Sequence, residues 1–157
     1  MPRYFPIYLD SRGKTVLVVG AGEVASRRIK ALLAFEFKLI IVALEISQEL
    51  KASLSEAASI SELRERKFRP EDLDDVDYVI ACTNDHKVQR EIAELCRKRK
   101  LAASIADCRE DCSFYFPALI LKEPHVVAVS SDGQSPKATK KLARQLREFI
   151  AEIETGE

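Results

Sequence analysis

Apolar positions along the chain fall into short unbroken runs that alternate with stretches of helical period. Residues 15–19, Thr-Val-Leu-Val-Val, form a continuous apolar run rich in β-branched side chains and closed by Gly20. Such a run predicts a strand buried on both faces. Beyond the glycines, Val24, Ile29, Leu32 and Leu33 recur at helical spacing, with Arg27, Arg28 and Lys30 between them. A second buried strand is predicted over 39–43 and a helix over 46–58, with Ser47 or Ser53 as cap or break. Residues 60–69 read ambiguously, with a short edge strand over 62–67. Pro70 suits the first turn of a short helix, where Glu71 and Asp72 favour the positive end. A strand over 76–81, an amphipathic helix over 86–99 and a fifth strand over 101–106 complete the alternation. Strand and helix in turn, with short links, give a parallel sheet with helices on both faces.

The pattern changes after Asp107. Two strand-like runs, 114–121 and 126–131, have no helix between them and are expected to pair antiparallel. Ser135 then reads as an N-cap with Pro136 at the first helical position, opening a helix to about 153. The predicted class is α/β: a Rossmann-like parallel sheet domain over 1–112, then a small β-hairpin plus helix over 113–157. That tail is too small to bury a core alone, so it is expected to pack on the first domain or on a second subunit, with a dimer contact favoured.

Composition narrows the function classes. The 157 residues carry 25 Lys and Arg against 25 Asp and Glu, a formal net charge of zero. No global pull toward nucleic acid or an anionic membrane follows, and neither partner is expected. No run approaches the roughly 20 apolar residues of a membrane span. Residues 1–7 lack the apolar stretch of a signal peptide, so a cytoplasmic protein is expected. Cys82 and Cys96 lie in apolar segments where free thiols are ordinary. Cys108 and Cys112 stand in a polar loop, read as free thiols, and no His follows at zinc-finger spacing, so no metal site is expected. His86 and His125 read as solvated or helix-end residues.

The strongest chemical signal is Gly20-Ala21-Gly22-Glu23-Val24-Ala25, directly between the first strand and the first helix. Gly20 permits a tight turn, Gly22 lets the backbone approach a pyrophosphate, and Ala25 allows close helix–strand packing. The helix amino terminus offers free N–H groups to phosphates. A dinucleotide site is the favoured reading and a structural turn the alternative. Glu45 is the candidate ribose ligand after the second strand; a carboxylate there selects NAD over NADP, unless it is a solvated loop residue. Asp107, at the carboxyl end of the fifth strand, is placed to act as a general base or to orient a polar substrate. Asp85 stands similarly after the fourth strand, and either aspartate could be a cap instead. Lys137, Lys140, Lys141, Arg144 and Arg147 share one side of the last helix, as a polyanion site or as a solvated face balanced by Glu148, Glu152 and Glu154.

Taken together these residues resemble the precorrin-2 dehydrogenase module, found alone or as the amino-terminal part of siroheme synthases. The likeness runs from Phe5-Pro6-Ile7-Tyr8-Leu9 through the glycine turn and Ala81-Cys82-Thr83-Asn84-Asp85. It continues in Asp107 with Cys112-Ser113-Phe114-Tyr115-Phe116-Pro117-Ala118, and closes on the segment from Val127 to Pro136 that contains Ser130-Ser131-Asp132-Gly133. The resemblance implies NAD-dependent oxidation of precorrin-2 to sirohydrochlorin, in siroheme or cobalamin synthesis, with Fe²⁺ insertion in some members. It implies cofactor contacts at Gly20, Ala21, Gly22, Glu23, Val24, Leu44, Glu45 and Thr83, with Asp107 as the catalytic aspartate. Precorrin-2 carries eight carboxylates, which makes Ser130, Ser131, Lys137, Lys140 and Arg144 its expected ligands. It also implies a homodimer formed through the 113–157 segment, which would cover the substrate. Ser104 stands where the family usually has Asn, and members often continue past the position of Glu157 with a further helical segment that covers the substrate site. The rival readings are a non-enzymatic NAD(H)-sensing Rossmann module and a chelatase without dehydrogenase activity.

Overall fold

A computed structural model describes residues 4–55, 61–106 and 108–154; of Ser61, Ile153 and Glu154 it describes the backbone only. Five parallel strands form the main sheet: β1 (Thr15–Val19), β2 (Lys38–Ala43), β3 (Ser61–Glu65), β4 (Tyr78–Ala81) and β5 (Ala102–Ile105). Their order is β3-β2-β1-β4-β5, which puts the reversal of direction between β1 and β4. Val16 to Val19 and Leu39 to Ala43 are buried, as strands covered on both faces must be. The helices are α1 (Glu23–Leu32), α2 (Gln48–Ser55) and α3 (His86–Arg99). α2 starts later than predicted because Ser47 caps it, its Oγ accepting from Leu50 N at 3.2 Å. Residues 56–58 of the predicted helix lie outside the described residues. The helix expected at Pro70 is one 3-10 turn, Pro70–Leu73.

Two local devices set the sheet's edges. Asp72 is 1% exposed, and its carboxylate accepts from Arg64, Arg66 and the N–H of Arg69. That cluster fixes the polar strand β3, which apolar burial alone would not hold. At the other edge, the Ser113 N–H donates to the Ala103 carbonyl, the Ala103 N–H donates to the Ser113 hydroxyl, and the Cys112 thiol meets the N–H of Ile105 at 3.2 Å. The open rim of β5 thus finds partners. Cys112 is buried for this reason and is not the polar-loop thiol its sequence neighbours suggest; burial pushes its thiol pKa up.

Chain contacts divide the molecule after Phe114. Ile7–Phe114 form one compact unit, and residues 115 onward join those before Ile7 in the other. The second unit holds the antiparallel pair β6 (Ala118–Lys122) and β7 (His125–Val129) with α4 (Pro136–Glu154). Ile120, Val129 and Ala143 form its core, with Leu146 and Ile150 packed against them. The strand predicted over 114–121 is therefore shorter. In the first unit Phe114 packs edge-on to Tyr78, while in the second Tyr115 packs against Tyr4 and only residues beyond Pro117 pair. Ser135 caps α4, its Oγ accepting from Ala138 N. Among the described residues no helix is long and apolar enough to cross a membrane.

Candidate cofactor and active site

The crevice of a parallel sheet lies at the carboxyl ends of its strands, where neighbouring connections leave in opposite directions. Here that point is flanked by Gly20 after β1 and by Cys82 and Thr83 after β4. Gly20 has φ +108°, and a Cβ built on it would stand 2.6 Å from the Cys82 carbonyl oxygen and 2.9 Å from Thr83 N. Only glycine fits, on both counts. Gly22 is different: its φ is −70°, and a Cβ there would meet nothing within 4 Å. The fold does not require glycine at 22, so the missing side chain leaves open space just ahead of α1.

Beside that space α1 begins without a side-chain cap. Its first N–H groups and the positive end of its dipole suit a phosphate pair. Ala21 is held by Ser26, whose Oγ donates to the Ala21 carbonyl at 3.2 Å, and Ala25 is fully buried against the sheet. Glu23 and Val24 are exposed in the first turn. Leu44 (66% exposed) and Glu45 follow β2, and Glu45 stands exposed two residues beyond the strand. Thr83 is half-buried at the end of β4. The residues present thus fit a dinucleotide: a glycine turn, a cradle a Cβ would fill, and an acidic residue past β2.

Residues 7–118 match the family NAD_binding_7, described as "Putative NAD(P)-binding". The chain belongs to this family. It is 43% identical over 147 residues to siroheme synthase 1 of Serratia proteamaculans, covering 94% of this chain and 30% of that protein. With the siroheme synthase of Nitrosomonas europaea the identity is 36% over 147 residues, covering 94% and 31%. The chain spans about three tenths of the length of these curated relatives. Among solved structures it is similar to SirC, a precorrin-2 dehydrogenase, with a TM-score of 0.78 and 28% identity over 93% of this chain and 70% of that one.

Within this NAD_binding_7 chain the other expected residues are placed as follows. Asp107 lies outside the described residues; the sheet ladder reaches Ala106, whose N–H donates to the Ala81 carbonyl at 2.9 Å. Asp85 caps α3, its Oδ1 accepting from Lys87 N at 2.9 Å and Val88 N at 3.3 Å, which gives it the structural job. In the second unit Lys137, Lys140, Lys141 and Arg144 are exposed on α4, while Arg147 donates to the Leu119 carbonyl. Ser130 is exposed. Ser131 is half-buried, and its Oγ meets Ser135 N and the Thr139 hydroxyl, so it belongs to the turn that opens α4.

Three polar groups have no counterpart among the expected residues, two of them near the crevice. Gln89 is buried on α3 and donates to the Thr83 carbonyl. Arg28 of α1 reaches the Cys82 sulfur at 3.4 Å. The third, Asp77, stands at the opposite end of the sheet, where β1 and β4 begin; it accepts from Thr15 N at 2.8 Å and Lys14 Nζ at 3.0 Å, bonds that hold its carboxyl below the usual range. Only Gln89 leaves a trace in sequence. It is the polar member of a stripe at 89, 92, 93 and 96 that is otherwise apolar.

Proposed function

We propose that the protein is an NAD-dependent precorrin-2 dehydrogenase that forms sirohydrochlorin for siroheme synthesis. The observation that carries this reading is the likeness over 93% of the chain to SirC, on a chain with its own open glycine cradle. The siroheme synthase relatives support the same substrate and the siroheme destination. Bound NAD⁺ supplies the hydride acceptor. The ring system gives up a hydride and a proton, and the chain's part is to bind, orient and take that proton.

The glycine turn and the first N–H groups of α1 hold the pyrophosphate, with Ala21, Glu23 and Val24 alongside. Leu44 and Glu45 line the adenosine side, Glu45 accepting from the ribose hydroxyls and repelling a 2′-phosphate. Thr83 borders the nicotinamide half. Asp107, one residue past the end of the β5 ladder, orients the macrocycle and accepts the proton. Lys137, Lys140, Arg144 and Ser130 take carboxylate arms, with Ser131 setting the turn that presents them. The unit Ile7–Phe114 binds NAD, and the hairpin–helix segment after it covers the substrate and dimerises. The cytoplasm is the proposed compartment, which the four cysteines, none in a disulfide and three of them buried, support.

Asp107→Asn tests the assignment. Turnover of precorrin-2 should fall by at least about 100-fold, the usual scale for losing a general base, with NAD⁺ affinity unchanged in calorimetry. Turnover retained in the variant would remove Asp107 from the chemistry.

A further inference from the structure

Gln89 is 3% exposed, on α3 in line with the buried Ile92, Ala93 and Cys96. A primary amide is kept in such a place only where its hydrogen bonds are made. Its Nε2 donates to the main-chain carbonyl of Thr83; a carbonyl only accepts, so the NH₂ end faces it. The Cys82–Thr83 peptide linkage is also the surface on which the glycine turn rests. The Cβ that Gly20 lacks would stand 2.6 Å from the Cys82 carbonyl oxygen, 2.8 Å from its carbonyl carbon and 2.9 Å from Thr83 N. Moving that linkage therefore moves Gly20, or opens a gap beneath it.

The other end of the same short turn is fixed separately. Asp85 caps α3 with its carboxylate, and its N–H donates to the Thr83 hydroxyl at 3.2 Å. These bonds lie at the exposed rim and leave the Thr83 carbonyl untouched. The buried bond from Gln89 ties that carbonyl to the body of the helix. Helix, β4 turn and glycine turn are thus linked in series, and Gln89 stands one residue behind the crevice wall.

We infer that Gln89 is a positioning residue for the dinucleotide: its buried amide holds Thr83, and through the Cys82–Thr83 linkage the Gly20 turn, at the spacing the cofactor needs. This rests on the proposed use of NAD. Gln89 touches no cofactor atom in this scheme, and its effect is on the shape of the site.

The test is calorimetric NAD⁺ binding by the full chain with Gln89→Met, Gln89→Glu and Ile92→Val. Methionine keeps the volume and loses the donor; glutamate keeps the shape and turns an acceptor toward the Thr83 carbonyl. Both should raise the Kd for NAD⁺ by about tenfold, the scale of one neutral hydrogen bond. Ile92→Val, on the same buried stripe, should lower the melting temperature while leaving Kd at the wild-type value. That separates positioning from general loosening of the helix. Should Gln89→Met fail to fold, Gln89→Asn carries the same expectation, its amide being one methylene too short. Wild-type Kd in the folded Gln89 variants, with NAD⁺ bound normally by the parent, would overturn the inference alone. A parent chain that does not bind NAD⁺ would overturn the cofactor reading and this inference with it.

Discussion

A methyl group added at Gly20 would meet the Cys82 carbonyl at 2.6 Å on a backbone at φ +108°, so Gly20→Ala pays for both steric overlap and strain. We expect it to destabilise the fold by about 2–3 kcal/mol, read from denaturant midpoints. Gly22→Ala should leave the same midpoint unchanged, because φ is −70° and the added carbon meets no protein atom within 4 Å. Its cost should appear as weaker NAD⁺ binding; unchanged affinity would mean that Gly22 clears no space for the cofactor. Asp85→Ala should lower stability by about 1 kcal/mol through the lost cap of α3, with kcat retained. At this scale the geometry of the glycine turn is legible because it is written in spacing. Sequence reading misses Gln89 and Asp72, whose partners, a main-chain carbonyl and two arginines from another segment, are brought near only by the folded chain.

Strands buried on both faces declare themselves by unbroken apolar runs, and β1, β2 and β4 stand close to where those runs predict. Edge elements are less legible because side-chain bonds hold them in place of burial. β3 is the clear case, its arginines gathered on Asp72. Burial raises the Asp72 pKa, but Arg66, the Arg69 N–H and Arg64 outweigh it and hold the carboxyl down to about 2, against an ordinary 3.8. A depressed carboxyl stabilises the fold above its unfolded pKa and loses that contribution as pH falls through the folded one. The window is therefore about pH 4 down to about pH 2, and the contribution roughly 2 kcal/mol. Asp72→Asn should remove it: the stability gap between wild type and variant should be full at neutral pH and close across that window in urea titrations. A gap independent of pH would show that the cluster works through packing. The 114–121 segment departs from its predicted strand for another reason. Its aromatic residues read as strand, yet Phe114 and Tyr115 pack ring against ring and pairing starts only after Pro117.

For the whole molecule, the parallel sheet and the hairpin–helix unit are both readable from the change in period after Asp107, whereas the division falls after Phe114 and draws in residues before Ile7. The proposed homodimer belongs to this scale. On α4, Leu142 and Phe149 lie seven residues apart and are 48% and 59% exposed, while Ala143, Leu146 and Ile150 pack on the hairpin. An apolar pair left outside a small core favours burial against a second copy. Leu142→Asp with Phe149→Asp should shift sedimentation from dimer to monomer, and an unchanged species would remove this face from the contact. The reaction itself is tested by following NADH while the purified chain is mixed with freshly generated precorrin-2 and NAD⁺. One NADH should form for each sirohydrochlorin, with no product when NAD⁺ is withheld. Tight NAD⁺ binding with neither NADH nor sirohydrochlorin would contradict the dehydrogenase reading and favour a nucleotide-sensing module.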